Sequence, residues 1–313
     1  MSTLGEALVE YLELRRGLGF KMQAAGLQLP RFVGFLERQQ TSFITTRLAL
    51  EWSQEPASVQ PAEWARRLGY VRGFARYRSA TDPRTEIPTS GLLPHHSTRA
   101  RPYLYSDAEL QALLDAALAW PTRWPSTPLR PQMLHCLFGL LAVTGMRFGE
   151  ALDLQLDDID LGTGLLTLRS PKLGRSRLVP IHATTSETLA AYLKHRLAAF
   201  GRDPSPYVFV SSRGNRVDMA QLHRNFYELS RRVGLRAAGA SHGPRLHDLR
   251  HRFAVRTLQR WYEQGVDVQR KLPVLSTYLG HVNVEDTYWY LNAWPELMAH
   301  ATARLERRWE TTP

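Results

Sequence analysis

The sequence has a single cysteine, Cys136, so it cannot form an intrachain disulfide or a cysteine-based zinc site. Cys136 lies in the apolar run LHCLFGLLAV and reads as a buried thiol. The longest uninterrupted apolar stretch, Leu137–Val143, is far short of the roughly 20 residues needed to span a bilayer. The first residues, MSTLGEALVEYLELRRGLGF, lack the basic-then-apolar layout of a leader. These absences predict a cytoplasmic protein with no membrane partner. A P-loop, a metal-ligand cluster and internal repeats are also missing, so no cofactor and no metal are expected. Acidic residues are in deficit: 29 Asp and Glu stand against 40 Lys and Arg, a formal charge of +11. The surplus is mostly arginine, the better fork for phosphate oxygens. A basic globular chain predicts a polyanionic partner, nucleic acid first, with a merely basic surface as the bland alternative.

What is present divides into two regions. A length of 313 residues suits two domains. Residues 1–85 read as helices only. Thr3 and Glu6 fit a capping box, and Leu4, Leu8, Tyr11 and Leu12 follow at helical spacing. Further helices are expected over 22–39, bent or started at Pro30, over 46–54, and from Pro61 onward. The last has an apolar stripe of Trp64, Leu68, Val71 and Ala75, and an opposite face carrying Arg66, Arg67, Arg72, Arg76 and Arg78. That face is either solvated surface or a phosphate-tracking surface. Residues 80–104 lose periodicity and gain Pro, Ser and Thr, with 86–104 read as the linker itself. Arg99 and Arg101 make its end basic, and His95–His96 read as solvated loop. From 105 to 313 the pattern is mixed. Ser106 and Glu109 open a helix, 131–144 is an apolar helix, and short strands at 158–161, 165–169 and 177–181 form an antiparallel sheet. Thr184 and Glu187 open another helix, 207–210 fits a fourth strand, and helices fill the remainder. The fold class is mainly α with a small antiparallel β-sheet.

Taken singly, the polar candidates are bland. Arg147 follows a helix end, Lys172 sits in a turn, and His247 and Arg250 are three apart on one helix face. His281 follows Gly280, and Tyr290 stands beside Tyr288 and Trp289. Together they are specific. The segments are TGMRFGEAL at 144–152, SPKLGRSRLVPI at 170–181, HDLRH at 247–251, LGH at 279–281, and a tyrosine nine positions after that histidine. Over roughly 105–295 the chain resembles the catalytic domain of the tyrosine recombinases, the phage integrase family. The first 85 residues resemble the family's core-binding domain less closely.

The resemblance implies a C-shaped DNA clamp built from a helical core-binding domain and a catalytic domain. It implies Arg147, Lys172, His247, Arg250, His281 and Tyr290 as the catalytic set, with Glu150, Asp248 and His251 in support. Arg175 competes with Lys172, but an arginine cannot release a proton at working pH. Tyr288 is a rival to Tyr290, since the stretch EDTYWYLNA departs from the usual Thr-Thr and Thr-His flanks. The implied chemistry is attack of Tyr290 on a DNA phosphate. Arg147 and Arg250 hold the non-bridging oxygens, with His281 a further donor. His247 takes the tyrosine proton and Lys172 protonates the leaving oxygen. Arg66, Arg67, Arg72, Arg76, Arg99, Arg101 and Arg175 are expected to touch DNA. The resemblance further implies double-stranded DNA as partner, a homo-tetramer on synapsed sites, and docking of the tail (Leu297, Met298, Ala301, Leu305) onto a neighbour. The segment YLELRRGLGFK resembles recombinases carried by bacterial transposable elements. Alternatives are a type IB-like topoisomerase and a catalytically inactive DNA-binding accessory protein.

Overall fold

A computed structural model describes residues 3–94, 102–121, 129–170, 175–201, 205–240, 242–293 and Thr302, with the side chains at 170, 175, 292 and 293 left aside. The chain divides into two compact units, Met1–Ala100 and Arg101–Pro313.

The first unit is a group of helices: α1 (Leu4–Gly17), α2 (Gln23–Arg38), α3 (Thr46–Gln54) and α4 (Pro61–Arg78). Thr3 and Glu6 form the expected reciprocal cap on α1, at 2.8 and 3.2 Å. Pro30 neither starts nor ends α2, which runs through it from Gln23. Phe32, Leu36, Ile44, Trp52, Leu68, Val71 and Phe74 pack the centre.

Two expectations are corrected in this unit. The arginines of α4 do not share one face. Positions 67, 71, 74 and 78 repeat at helical spacing, so Arg67 and Arg78 lie on the buried side with Val71 and Phe74. The Arg67 guanidinium lies 3.8 Å over the Trp52 ring and donates to the Trp52 carbonyl at 2.7 Å. Arg78 is paired with buried Asp82. Arg66 is exposed and bound to Glu63, Arg76 is exposed, and Arg72 donates to the carbonyls of Pro88 and Thr89 at 2.7 Å each. The second correction concerns residues 80–94, which are held against the unit rather than strung out as linker. Glu86 accepts a hydrogen bond from the first-turn amide of Thr46 at 2.7 Å, and Leu93 enters the core. Arg99, Arg101, His95 and His96 lie outside the described residues.

The second unit contains α5 (Asp107–Leu118), α6 (Leu129–Thr144), α7 (Phe148–Asp153), β1 (Ile159–Asp160), β2 (Leu165–Ser170) and β3 (Arg175–Pro180). It continues with α8 (Ala183–Phe200), α9 (Met219–Arg232), α10 (Leu246–Glu263), α11 (Val268–Leu279) and α12 (Glu285–Ala293). The sheet is antiparallel in the order β1-β2-β3, with Leu166 opposite Val179 and Leu168 opposite Arg177. Its core joins Leu134, Leu137, Phe138 and Leu141 of α6 to the sheet, to Phe226 of α9 and to Leu249 of α10. Cys136 is buried there, and burial pushes its thiol up to about 12. A second cluster joins Val255 and Leu258 of α10, Leu272 and Leu275 of α11, and Tyr290 of α12.

Local differences have local causes. The cap of α8 is His182, whose Nδ1 accepts from the Thr184 amide at 3.3 Å, two residues earlier than the Thr184–Glu187 pair suggested. Residues 207–210 make only isolated bridges, Gln155 to Tyr207 and Val210 to Arg216, so no fourth strand extends the sheet there. Lys172 and the tail residues Leu297, Met298, Ala301 and Leu305 lie outside the described residues.

Because Leu93 is only 8 % exposed within the first core, Leu93→Ala should cost about 2 kcal/mol. A lowered urea midpoint of the full chain is the expected outcome; an unchanged midpoint would show that 80–94 does not stabilise the unit.

Candidate active site

Two helix ends shape the site. α6 ends at Thr144 and the chain turns through Gly145 (φ +60°); α11 ends at Leu279 and turns through Gly280 (φ +69°). Both are left-handed positions that favour glycine. A Cβ at Gly145 would stand 2.5 Å from the Phe253 ring, and one at Gly280 would stand 2.6 Å from Nη1 of Arg177. The carbonyls freed at these ends receive arginines. Arg250 donates from Nη1 to Gly145 O at 2.8 Å and from Nη2 to Leu279 O at 2.9 Å. Arg147 donates from Nη2 to Gly280 O at 2.6 Å.

Arg250 comes from the first turns of α10. That helix is started by Arg245, whose amide and Nη2 donate to Asp248 at 2.8 and 2.9 Å. Asp248 thus acts on the site through the helix end it closes. The same turn leaves His247 exposed and puts Arg250 and His251 inside, each 3 % exposed. Burial lowers Arg250 to about 10, which leaves it charged at neutral pH.

Glu150 lies at the centre. Arg147, as N-cap of α7, donates to it from its amide at 2.8 Å and from Nη1 at 2.9 Å. Arg177 of β3 grips the same carboxylate with both terminal nitrogens, at 2.8 and 2.7 Å, and its Nε donates to Tyr278 O at 2.9 Å. Burial alone would raise the Glu150 carboxyl. The hydrogen bonds and charge of Arg177, and then Arg147, outweigh it and hold the group at about 2. Arg250 lies within electrostatic reach of Glu150, Arg147 and Arg177. Three guanidinium groups against one carboxylate leave two positive charges in excess, a setting made for an anion.

Tyr290 closes the group from α12. It is 2 % exposed, and its hydroxyl lies 3.1 Å from Nδ1 of His251. His247 touches the His251 ring edge-on at 4.7 Å between centroids. The hydroxyl's contact is therefore with His251, one helical turn deeper on α10 than His247, because the inward face of the helix is the one that meets α12. His281 stacks beside Tyr290 at 6.3 Å, and its Nδ1 lies 2.7 Å from the buried Thr287 hydroxyl. Tyr288, two residues earlier, is 45 % exposed.

The phage integrase family model matches residues 106–296. The chain belongs to the phage integrase family. It is 57 % identical over 311 residues to y4rB of Sinorhizobium fredii, a protein named as an integrase/recombinase, with 99 % of each chain covered. It is 31 % identical over 238 residues to the tyrosine recombinase XerD of Mycobacterium tuberculosis, covering 75 % of this chain and 70 % of that one. In fold it is similar to the Tn1549 transposon integrase (TM-score 0.65, 15 % identity, 96 % and 99 % covered). The protein is a tyrosine site-specific recombinase by family, mainly helical with a small three-stranded antiparallel sheet.

Of the residues expected in this recombinase site, the second unit brings together Arg147, Glu150, Asp248, Arg250, His251, His281 and Tyr290, with His247 at their edge. Lys172 lies outside the described residues, and of Arg175 only the backbone is described, paired opposite Ser170. Arg66, Arg67, Arg72 and Arg76 belong to the first unit, with Arg67 facing its core. Among the described residues, no cluster of three metal-ligating side chains occurs and no helix is long and apolar enough to cross a membrane.

Two participants were not read from the sequence: Arg177 and Thr287. Strand alternation hides the first. In Arg177-Leu178-Val179 the apolar Leu178 is 61 % exposed while Arg177 shares the inner face with Val179, so hydropathy points the wrong way. Thr287 falls six positions after His281, and nothing but that spacing marks it.

The Glu150 carboxyl, held at about 2 against an ordinary 4.5, contributes stability that is complete above the higher value and lost as pH falls toward the lower. This pH-dependent part amounts to about 3 kcal/mol at neutral pH. The stability difference between the native chain and Glu150→Gln should therefore grow from about pH 2 to a plateau above about pH 5. A difference independent of pH would show that Glu150 is not held as an ion by its arginines.

Proposed function

We propose that the chain cleaves and rejoins duplex DNA through a 3′-phosphotyrosyl intermediate on Tyr290. The observation that carries the reading is the buried tyrosine, hydrogen-bonded to a histidine of α10, in one unit with an arginine cluster that has positive charge to spare. A phosphodiester repels an incoming phenol until its own charge is neutralised. Arg147 and Arg250 neutralise it by donating to the two non-bridging oxygens, with His281 adding a donor. Tyr290 Oη attacks phosphorus, and its proton passes to the histidine pair of α10. His247 is the exposed member that exchanges it with solvent, and His251 holds the hydroxyl. The Oη–P bond forms, the P–O5′ bond breaks, and the 5′-oxygen leaves with a proton from Lys172. The phosphate ester energy stays in the phosphotyrosine. A 5′-hydroxyl of a second strand then reverses the step, and no cofactor is consumed.

The two units are read as a core-binding domain and a catalytic domain that each engage DNA, with four copies acting on two synapsed sites. Exposed Arg76 is the α4 side chain best placed to meet a phosphate; Arg66 reaches one only by leaving Glu63, and Arg72 only by leaving its carbonyl partners. The integrase/recombinase name of the 57 % identical relative and the fold likeness to a transposon integrase support movement of mobile DNA as the biological setting.

The test uses a duplex selected from a randomised pool by binding to the full chain, then nicked so that cleavage cannot be reversed. Wild type should give a protein–DNA adduct that survives denaturation. Tyr290→Phe should give none while binding DNA unchanged, and Tyr288→Phe should still react. An adduct that persists in Tyr290→Phe and disappears in Tyr288→Phe moves the nucleophile by two residues. No adduct with wild type leaves a DNA-binding accessory protein. Affinity should also fall steeply with salt as phosphate contacts release counterions, and a flat salt response would sink the basic surfaces as the DNA face.

A further inference from the structure

We propose that Arg177 is a positioning residue for strand cleavage: it takes up the charge of Glu150 and so leaves Arg147 free to bind the reacting phosphate. The inference rests on the recombinase chemistry proposed above and adds a residue that the catalytic set does not contain.

The geometry is that of a three-way fastening. One guanidinium bonds both oxygens of Glu150 on α7 and, through Nε, the Tyr278 carbonyl near the end of α11, while its own backbone belongs to β3. Two of those segments lead to Arg147 at the start of α7 and to His281 just after α11, and the third is β3 itself. The side chain is 14 % exposed and passes so close beneath Gly280 that any Cβ there would meet it at 2.6 Å. Its planar fork therefore fits a slot whose roof must be glycine.

Charge explains why a second arginine is needed. Glu150 orients Arg147 through both the amide and Nη1. A lone buried carboxylate would also compete with phosphate for that guanidinium, since each offers oxygen acceptors to the same N–H groups. Bidentate pairing with Arg177 satisfies the carboxylate from the far side. Arg147 keeps its orientation and the excess positive charge stays available. A lysine at 177 could not make the two Glu150 bonds and the Tyr278 bond together, having one nitrogen in place of three.

The test compares Arg177→Met, Glu150→Gln and the double variant in the full chain, on the selected duplex described above. One form carries an ordinary phosphodiester at the cleavage position, the other a neutral methylphosphonate. Arg177→Met should slow adduct formation on the phosphodiester by about 10- to 100-fold, the range seen when outer partners of a site are removed, with DNA binding unchanged. On the methylphosphonate, which has no charge to neutralise, the loss should shrink to about threefold or less. The double variant should react about as fast as Glu150→Gln, because the charge of Arg177 has no carboxylate to take up once Glu150 is neutral. A wild-type rate for Arg177→Met, equal losses on the two substrates, or losses that multiply in the double variant would each overturn the proposal. Should Arg177→Met fail to fold, the double variant, with its uncharged pair, decides by the same comparison with Glu150→Gln. A second readout stands apart from the chemistry: the acid midpoint of the Glu150 stability contribution should move up in Arg177→Met. An unmoved midpoint overturns the inference even if wild type forms no adduct, a result that would instead sink the recombinase reading.

Discussion

The carboxylate of Glu150 is the fixed point of the second unit. It is the one acid among three arginines, mostly buried, and held ionised at about 2. A buried charge of this kind persists only where its partners saturate it, and removal of one partner costs far more than the pair contributes. Its partners come from three separate places in the sequence: the N-cap of α7, the middle of β3 and, through the carbonyls that the same arginines hold, the C-terminal end of α11. The sheet, α7 and the α11–α12 turn cannot shift independently without breaking a bond to this group. The arginines inherit their precision from that restriction, as each guanidinium has two anchors on different segments.

Glycine makes the arrangement possible in a second way. Both turns that receive the arginines are left-handed, and both lie against side chains that a Cβ would strike. The segments Thr144-Gly145 and Leu279-Gly280 end helices, and a helix end exposes carbonyls with no partner in the helix. Here those carbonyls become acceptors for Arg147 and Arg250. The helix termini, which elsewhere need water or caps, thereby serve as the scaffold of the basic pocket.

Much of this was legible in the sequence because the informative signals were local. Capping boxes at Thr3–Glu6 and Ser106–Glu109 place α1 and α5 to the residue. Turn glycines and Pro61 place most of the other ends, and the order of Arg147, HxxR, LGH and Tyr290 points to one family. What stayed hidden depends on tertiary contacts. Arg67 is buried and Arg177 largely so, and composition alone puts charge outside. Arg67 is inside because Trp52 offers a ring face and a carbonyl, a pairing that spans 15 positions. Residues 80–94 look like a linker by composition, yet Arg72 and Thr46 supply partners for their polar groups. The six residues of α7 were missed because so short a helix shows no period; it exists because Arg147 and Glu150 cap it.

Spacing left two tyrosines in contention, and environment distinguishes them. On α12, Thr287 and Tyr290 are three apart and share a face, whereas Tyr288 points about 200° away from Tyr290, at roughly 100° per residue. Thr287 holds His281, and Tyr290 meets His251 and stacks beside His281. The inward face therefore carries one hydroxyl to each of two histidines, while Tyr288 stays 45 % exposed. A buried phenol must have a hydrogen-bond partner or lose stability. In a site rich in arginine that partner is a histidine, which can accept a proton where a guanidinium cannot. On the proposed chemistry, the packing that stabilises α12 and the contact that would take the phenol's proton are the same interaction. That coincidence is the physical ground for preferring Tyr290 to its neighbour.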